Sequence, residues 1–324
     1  MSIPLVSIIT VNYNGVSYTT DMLNSIQQIS YPAVEIIVVD NNSAEDPSPL
    51  LYSFPNIKLI RSKHNLGFAG GNNLGIAEAT GKYVLFLNND TEVHPRFLEP
   101  LVETMESNVQ VGVVSPKILF FESKDKKTLQ YAGSTGINPY TIRGQKIGSF
   151  ELDLGKYDDI RQTALGHGAA MMVPMAVIWK VGLIPDIYFL YYEEHDWFEM
   201  IKRAGYQVFY VGTSTVYHKE SMTVGQNSAL RTYYLTRGRL LFTRRNAHGL
   251  QWISSLLFFL LLAFPKNILK HLVKGEWELL IAFVKGAVWH IKHSNVLMTP
   301  FLQHKEGHKA LVAHEYSHID KPYL

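Results

Sequence analysis

Over the first 115 residues the apolar pattern alternates between two periods. Val6–Val11, Ile36–Val39, Ile57–Ile60, Tyr83–Leu87 and Val111–Val114 are short, nearly continuous apolar runs bounded by polar or turn-forming residues, which predicts buried strands. Between them Tyr18–Ile29, Leu74–Ala79 and Phe97–Met105 carry apolar residues at helical spacing, the second closed by Thr80-Gly81. Strand–helix alternation at this spacing implies an α/β fold, with a mixed, mainly parallel sheet flanked by helices and right-handed crossovers. Residues 121–165 break the rhythm. Glu122–Lys127 is a charged turn, and Gly, Pro, Ser and Asp are frequent through Gly155, which predicts irregular loops around short strands near the substrate. Regular patterning resumes at Gly168–Val173, Ala176–Val181, a helix over Trp197–Ala204 ended by Gly205, and a strand over Gln207–Val211.

Two of the predicted strands end on a carboxylate. EIIVVDNNS delivers Asp40 and KYVLFLNND delivers Asp90 to the rim of the sheet, where open α/β sheets bind ligands. The two suggest one crevice with two polar anchors.

Beyond about Ala229 the composition shifts. Residues 1–230 hold 17 Lys+Arg against 23 Asp+Glu, while residues 231–324 hold 13 against 5. Arg231, Arg237, Arg239, Arg244 and Arg245 alternate with Tyr, Leu and Phe. Trp252–Phe264 is almost wholly apolar and is expected to stop at Pro265, short of the ~20 residues that span a bilayer. A second apolar segment, Trp277–Trp289, is interrupted by Lys285, and Trp252, Trp277 and Trp289 sit where interfacial aromatics would. An acidic body with a basic, greasy tail predicts a unit over residues 1–230 and a helical segment over 231–324 lying in a membrane interface. The interleaved Leu and Phe runs argue against nucleic acid. A helical subdomain packed on the core, or on a second copy in a homo-oligomer, is the alternative. The 324 residues contain no cysteine, which excludes disulfides and thiolate metal sites and fits a reducing compartment. The N-terminal MSIPLVSIITV lacks a basic n-region and a small-residue cleavage site, so it reads as a first strand.

Several groups could carry chemistry. Asp40 can accept hydrogen bonds from a base or ribose, and equally suits a turn or helix N-cap. Asn65–Gly75 has four glycines that permit close backbone approach to a ligand, and it leads into a helix whose N-terminus favours a diphosphate; a plain Gly-rich loop is the alternative. It is not a GxGxxG fingerprint. Asn88-Asn89-Asp90 is a metal corner for a hard cation. Glu193, Glu194 and Asp196 stand just before the predicted helix; three carboxylates this close raise the pKa of at least one, as a general base requires. An acidic helix N-terminus accounts for one or two of them without catalysis. His218 is a second metal ligand or a structural histidine, and an imidazole with carboxylate oxygens suits Mn²⁺ or Mg²⁺.

Taken in order, VSIITVNYNG, EIIVVDNNS, NLGFAGGNNLGI, YVLFLNND, FLYYEEHDWFEM and VYHKES resemble the motifs of family 2 glycosyltransferases over residues 3–245. The chain is most similar to the rhamnosyltransferase-like and galactofuranosyltransferase-like branch. That resemblance implies a GT-A fold, the nucleotide-diphospho-sugar transferase architecture, with a membrane-associating C-terminal helical segment. It implies that Val11, Tyr13 and Asp40 line the base pocket, with Asn65, Gly71 and Asn88 also on the donor. It further implies that Asp90 and His218 hold a divalent metal (Mn or Mg) on the diphosphate, and that Glu194 is the catalytic base, beside Glu193 and with Asp196 as a rival. Gly166–Ala170 would shape the acceptor pocket, His167 touching it. The sequence departs from the pattern at Asn88, where the DxD motif opens with Asp, at Glu194, where the base is commonly Asp, and at Gly238, where the branch often has Asn. The implied reaction is inverting transfer from a nucleotide-diphosphate-sugar, UDP or dTDP first, to a glycan or lipid-linked hydroxyl in bacterial surface polysaccharide assembly. It would take place on the cytoplasmic, inner face of the plasma membrane. A nucleotidyltransferase would need a basic residue in the Gly-rich loop, and residues 65–75 have none. A non-catalytic scaffold would not need Asp90, Glu194 and His218 together.

Overall fold

The computed structural model describes residues 3–123, 126–219 and 228–293. Ten strands form one sheet in the order β3-β2-β1-β4-β9-β6-β10-β5, with β7 on β6 and β8 on β10. β1 (Val6–Asn12), β2 (Val34–Asp40), β3 (Ile57–Arg61) and β4 (Tyr83–Leu87) are mutually parallel. Ile8, Ile9, Ile37, Val38 and Leu85 are fully buried there because helices cover both faces. On the other side of β4 the sheet turns mixed. β9 (Ala170–Pro174) runs antiparallel to both β4 and β6 (Val111–Phe120), and β6 runs parallel to β10 (Gln207–His218). β5 (Thr91–Val93), β7 (Leu129–Tyr131) and β8 (Ile160–Thr163) are short antiparallel additions, the last two inside the stretch expected to be irregular.

β10 is longer than its apolar run. After a register shift between Val211 and Thr215 it continues to His218, and this second half pairs with β5, setting His218 opposite Thr91. Three-residue β5 thus brings His218 beside Asp90.

The helices are α1 (Val16–Ile26), α2 (Pro49–Ser53), α3 (Gly67–Ile76), α4 (Leu98–Ser107), α5 (Met175–Val181), α6 (Glu193–Arg203) and α7 (Ala229–Asn246). Two begin a full turn or more before the predicted start. α3 starts at Gly67, so the Gly-rich segment is itself the helix. Its glycines serve close packing: a Cβ on Gly75 would lie 2.4 Å from Ile9, and one on Gly71 3.0 Å from Val11. α6 starts at Glu193, so the three acids form its first turn rather than preceding it.

The C-terminal helices differ most from expectation. α8 (Leu250–Phe258), a π-helical turn (Phe259–Ala263) and α9 (Phe264–Val273) run on as 24 residues, long and apolar enough by length and composition to cross a membrane. Pro265 does not stop this helix. It sits in the first turn of α9, where the wider π turn before it accommodates the missing N–H. α10 (Trp277–Lys292) packs back along α7, and α9 packs on α10. The arginines read as a basic surface are turned inward. Arg237 is buried over the Trp289 ring, 4.3 Å from its centroid; Arg244 donates to His293 O; Arg245 pairs with Asp196. Trp289 is consequently buried rather than interfacial, whereas Trp252 and Trp277 are exposed.

Candidate active site

The crevice opens along the carboxyl ends of β1, β2 and β4. At the β2 end Asp40 is buried. Asn12 Nδ2 donates to its Oδ1 at 2.8 Å and the Ser43 N–H to its Oδ2 at 3.2 Å, so neighbours orient the carboxylate. Val11 and Tyr13 flank it, half-buried. Asn41 Nδ2 donates to Asn65 Oδ1 at 3.1 Å, which ties the Asn65 turn to this strand end, and Gly71 backs onto Val11 and Asn41. The ends of β1 and β2, the Asn65 turn and Gly71, apart in sequence, are thus neighbours in the fold.

At the β4 end Asn88 is half-buried, and its N–H donates to Ala169 O. Asn89 turns away, donating to Thr19 Oγ1 at 3.1 Å and so bracing α1. Asp90 and His218 are buried side by side, with Asp90 Oδ1 3.1 Å from His218 Nε2. Among the described residues neither atom has a hydrogen-bonding partner. The cause lies on the far side of the ring, where Nδ1 meets Gln130 Oε1 at 2.8 Å. Gln130 Oε1 is an acceptor, which favours the tautomer with the proton on Nδ1; in that tautomer Nε2 turns a lone pair toward the carboxylate, as a pair of metal ligands requires. Adjacent ligands of an octahedral cation with bonds of about 2.1 Å lie about 3.0 Å apart. The pair therefore fits a hard divalent cation, although among the described residues no cluster of three or more His, Asp or Glu side chains forms a closed protein cage.

Glu193 and Glu194 are set by a strained approach. Phe189, Tyr191 and Tyr192 all have positive φ (63°, 65° and 74°), a conformation costly for aromatic residues. Two glycines grip the loop. A Cβ on Gly67 would lie 1.9 Å from Phe189 O, and one on Gly238 2.9 Å from Tyr191 O and 3.0 Å from the Tyr192 ring. Gly238 thus has a steric reason.

The three acids divide sharply. Burial, then the charge of Glu194, push Glu193 well above the usual carboxylate range, so Glu193 keeps its proton. For Glu194 burial acts upward, but His195, the α6 N-terminus and Lys146 outweigh it and the carboxyl ends up lowered. Its Oε1 is 3.2 Å from His195 Nδ1, while its Oε2 has no partner. Asp196 is fully buried and committed to α7, with Arg245 Nε on Oδ2 and Asn246 Nδ2 on Oδ1 at 2.7 Å.

Between the Asp90–His218 pair and Glu194 lies the Gly166–Ala170 turn. The His167 ring is 6.1 Å from that of His218, and Lys146 Nζ is 2.9 Å from its Nε2. Burial, reinforced by Lys146, holds His167 well below the ordinary imidazole value, so it is neutral. A Cβ on Gly168 would lie 3.7 Å from Glu194 Oε1. Sequence reasoning missed Gln130, Lys146 and His195. Gln130, on the short strand β7, and Lys146 lie in the stretch expected to be irregular, where no motif marks them; His195 was hidden among the acids.

The profile of the family described as Glycosyl transferase family 2 matches residues 7–172. A low-salt glycan biosynthesis hexosyltransferase, Agl10 of Haloferax volcanii, is 29% identical over 206 residues, covering 62% of this chain and 63% of that protein. A poly-β-1,6-N-acetyl-D-glucosamine synthase of Staphylococcus epidermidis is 27% identical over 191 residues, covering 55% and 46%. The chain thus spans less than two thirds of these relatives. Among solved structures, GalNAc-T7 with UDP, GalNAc and Mn²⁺ superposes with a TM-score of 0.58 at 16% identity, covering 73% of this chain and 48% of that one. The mannosyltransferase PcManGT of Pyrobaculum calidifontis with GDP-Man and Mn²⁺ superposes with 0.56 at 14%, covering 91% and 89%. At such identities the likeness is one of fold, the GT-A arrangement.

Proposed function

Since the chain belongs to glycosyl transferase family 2, its profile covering just over half the sequence, we propose that it transfers a sugar from a nucleoside-diphosphate-sugar to a hydroxyl with inversion. Val11, Tyr13, Asp40, Asn65, Gly71 and Asn88 form the donor side, with UDP or dTDP the first candidates. Asp90 and His218 hold a divalent cation there, which when bound supplies counter-charge for the departing diphosphate. Glu194 takes the proton of the acceptor hydroxyl. The freed oxygen forms a bond to the anomeric carbon as the bond to the diphosphate breaks on the opposite face, and the nucleoside diphosphate leaves. Asp196 fixes the α6 turn that carries the base. The acceptor is a glycan or a lipid-linked sugar of polysaccharide assembly.

The observation that carries this reading is the approach of Asp90 Oδ1 and His218 Nε2 to 3.1 Å, with the Gly166–Ala170 turn running from this pair to Glu194, whose carboxyl is lowered and has one oxygen without a partner among the described residues. Donor turnover with Mn²⁺ tests it. Glu194→Gln should retain donor affinity and lose roughly 10²–10⁴-fold in rate, the usual worth of a general base. Pyrophosphate release instead of nucleoside diphosphate would favour a nucleotidyltransferase; no turnover of any nucleotide sugar would favour a scaffold.

Residues 1–230 form the catalytic unit and 231–324 the C-terminal segment, of which 294–324 lie outside the described residues, with α7 as the joint between them. One face of the Leu250–Val273 helix packs on α10 through Phe259, Ala263 and Phe283, while Leu257, Leu260, Leu261 and Leu269 are exposed. That arrangement suits a helix lying in the plane of a bilayer surface, which would seat the enzyme on the cytoplasmic face of the plasma membrane. Flotation with anionic liposomes tests it, and a protein that does not float but self-associates would assign the face to a second copy.

A further inference from the structure

Two arginines stand over one ring. The Arg143 guanidinium carbon is 5.0 Å from the centroid of Phe258 on α8, and that of Arg239 is 5.7 Å from it. Arg143 is exposed on a hairpin closed by the Asn138–Arg143 bridge. Arg239 comes from α7 and donates to Thr141 O of the same hairpin at 2.6 Å. Arg61, Arg161 and Arg245 each have a carboxylate beside them. Among the described residues Arg143 and Arg239 form no ion pair, and Arg239 is half-buried. Burial chiefly pushes Arg239 below the ordinary guanidinium value; Tyr192 opposes this and Arg143 adds to it. Two like charges held together without a counter-charge form a place for an anion, and the planar fork of arginine matches phosphate.

The position says whose phosphate it is. Tyr192 lies within the field of Glu194 and of both arginines. Its ring is 5.3 Å from that of His195, which touches Glu194 at 3.2 Å. The arginine pair therefore lies next to the base, on the side facing the apolar helix, whereas the donor diphosphate has its own place at Asp90 and His218. Leu257 and Leu261, near Phe258 on the helix, are half-exposed or more.

We propose that Arg143 and Arg239 form a phosphate subsite for the acceptor, holding the phosphate or diphosphate that links its reacting sugar to a lipid chain, with the hydrocarbon running along α8 beside Phe258. This rests on the transferase reading and names its acceptor class, a lipid-phosphate glycan.

The test uses the full chain, without donor and with EDTA present, and farnesyl diphosphate as the probe below its micelle concentration. The wild type should bind it, and Arg143→Gln, an exposed change that leaves the Arg239–Thr141 contact in place, should weaken binding about ten-fold or more, the usual worth of a charge-assisted hydrogen bond. Arg239→Lys should weaken it too, with circular dichroism reporting whether the hairpin region still folds. Equal affinity of wild type and Arg143→Gln would overturn the proposal. So would farnesol binding as tightly as the diphosphate, which would mean an apolar groove only, or inorganic pyrophosphate binding as tightly, which would mean a free-phosphate site. Binding of UDP, dTDP and GDP by the wild type with Mn²⁺ is read separately. Absence of binding by UDP, dTDP and GDP alike would sink the transferase reading while leaving the farnesyl diphosphate result to stand by itself.

Discussion

Replacing Gly238 by alanine tests the link between the C-terminal helices and the base. In a helix interior Gly→Ala ordinarily stabilises by ~1 kcal/mol. Here the added Cβ would lie 2.9 Å from Tyr191 O and 3.0 Å from the Tyr192 ring, so one of them must move. Overpacking of this kind costs about 1–3 kcal/mol, which leaves a net loss of about 0–2 kcal/mol instead of a gain. The loop has little room to yield, because Tyr191 and Tyr192 already hold positive φ and Phe189 is pressed against Gly67. The strain should pass into the first turn of α6, two residues on, and shift Glu194. A misplacement approaching 1 Å costs up to ~10²-fold in rate. Thermal melts paired with donor-affinity and transfer-rate measurements on Gly238→Ala provide the assay. We expect unchanged donor affinity, a slightly lower melting point and a large fall in transfer. A raised melting point with full transfer would refute the argument, since it would mean that the loop gives way without disturbing the base.

Three other outcomes follow from the site. A carboxyl whose folded pKa is raised favours the fold below its unfolded pKa and loses that advantage as pH rises through the folded value. Wild-type stability should therefore fall relative to Glu193→Gln from about pH 4.3, the ordinary Glu value, upward through the raised Glu193 value; urea midpoints from pH 4 to 8 measure this, and a constant gap would mean Glu193 is not buried as an acid. Asp196→Asn leaves Arg245 facing a neutral group in a buried pair and should cost up to about 3–5 kcal/mol, the range for losing one partner; denaturation within about 1 kcal/mol of wild type, together with a lower rate, would instead return Asp196 to the role of base. Asp90→Asn should abolish the Mn²⁺-dependent part of UDP affinity in calorimetric titration, and unchanged affinity would remove Asp90 from the cation site.

The parallel half of the sheet was legible because strands buried on both faces are written as unbroken apolar runs. What was hidden depended on contacts distant in sequence. α3 has the composition of a loop, and it is helical because Gly71 and Gly75 let it settle against Val11 and Ile9, a tertiary gain that overrides poor propensity. The second half of β10 carries Thr213, Ser214 and Thr215 where an apolar run would be expected; Ser214 is buried, donating to Phe97 O at 2.6 Å. Charge counting found the basic tail but not its direction, because a count does not reveal that Arg237 and Arg245 face Trp289 and Asp196. The places of the candidate residues along the fold were more legible. Asp40, Asp90 and Glu194 each sit where an element ends or begins, and such boundaries are visible in sequence. Their relative positions came from pairings no motif contains, above all three-residue β5, which draws His218 to Asp90.

That difference bears on how the crevice works. Its proposed donor wall consists of strand ends fixed by the sheet, with Asn12, Ser43 and Asn41 holding the polar groups in place. The proposed base, Glu194, stands on α6, whose first turn is held from outside the sheet: Gly238 receives the Tyr191–Tyr192 loop, and Arg245 and Asn246 hold Asp196. All of these belong to α7, and α7 is packed by α10. The segment that looks in sequence like an appended anchor is therefore the scaffold of the proposed catalytic carboxylate. A chain cut before α7 would retain the donor wall but lose the contacts that orient Glu194, so donor binding and transfer should separate on opposite sides of that cut.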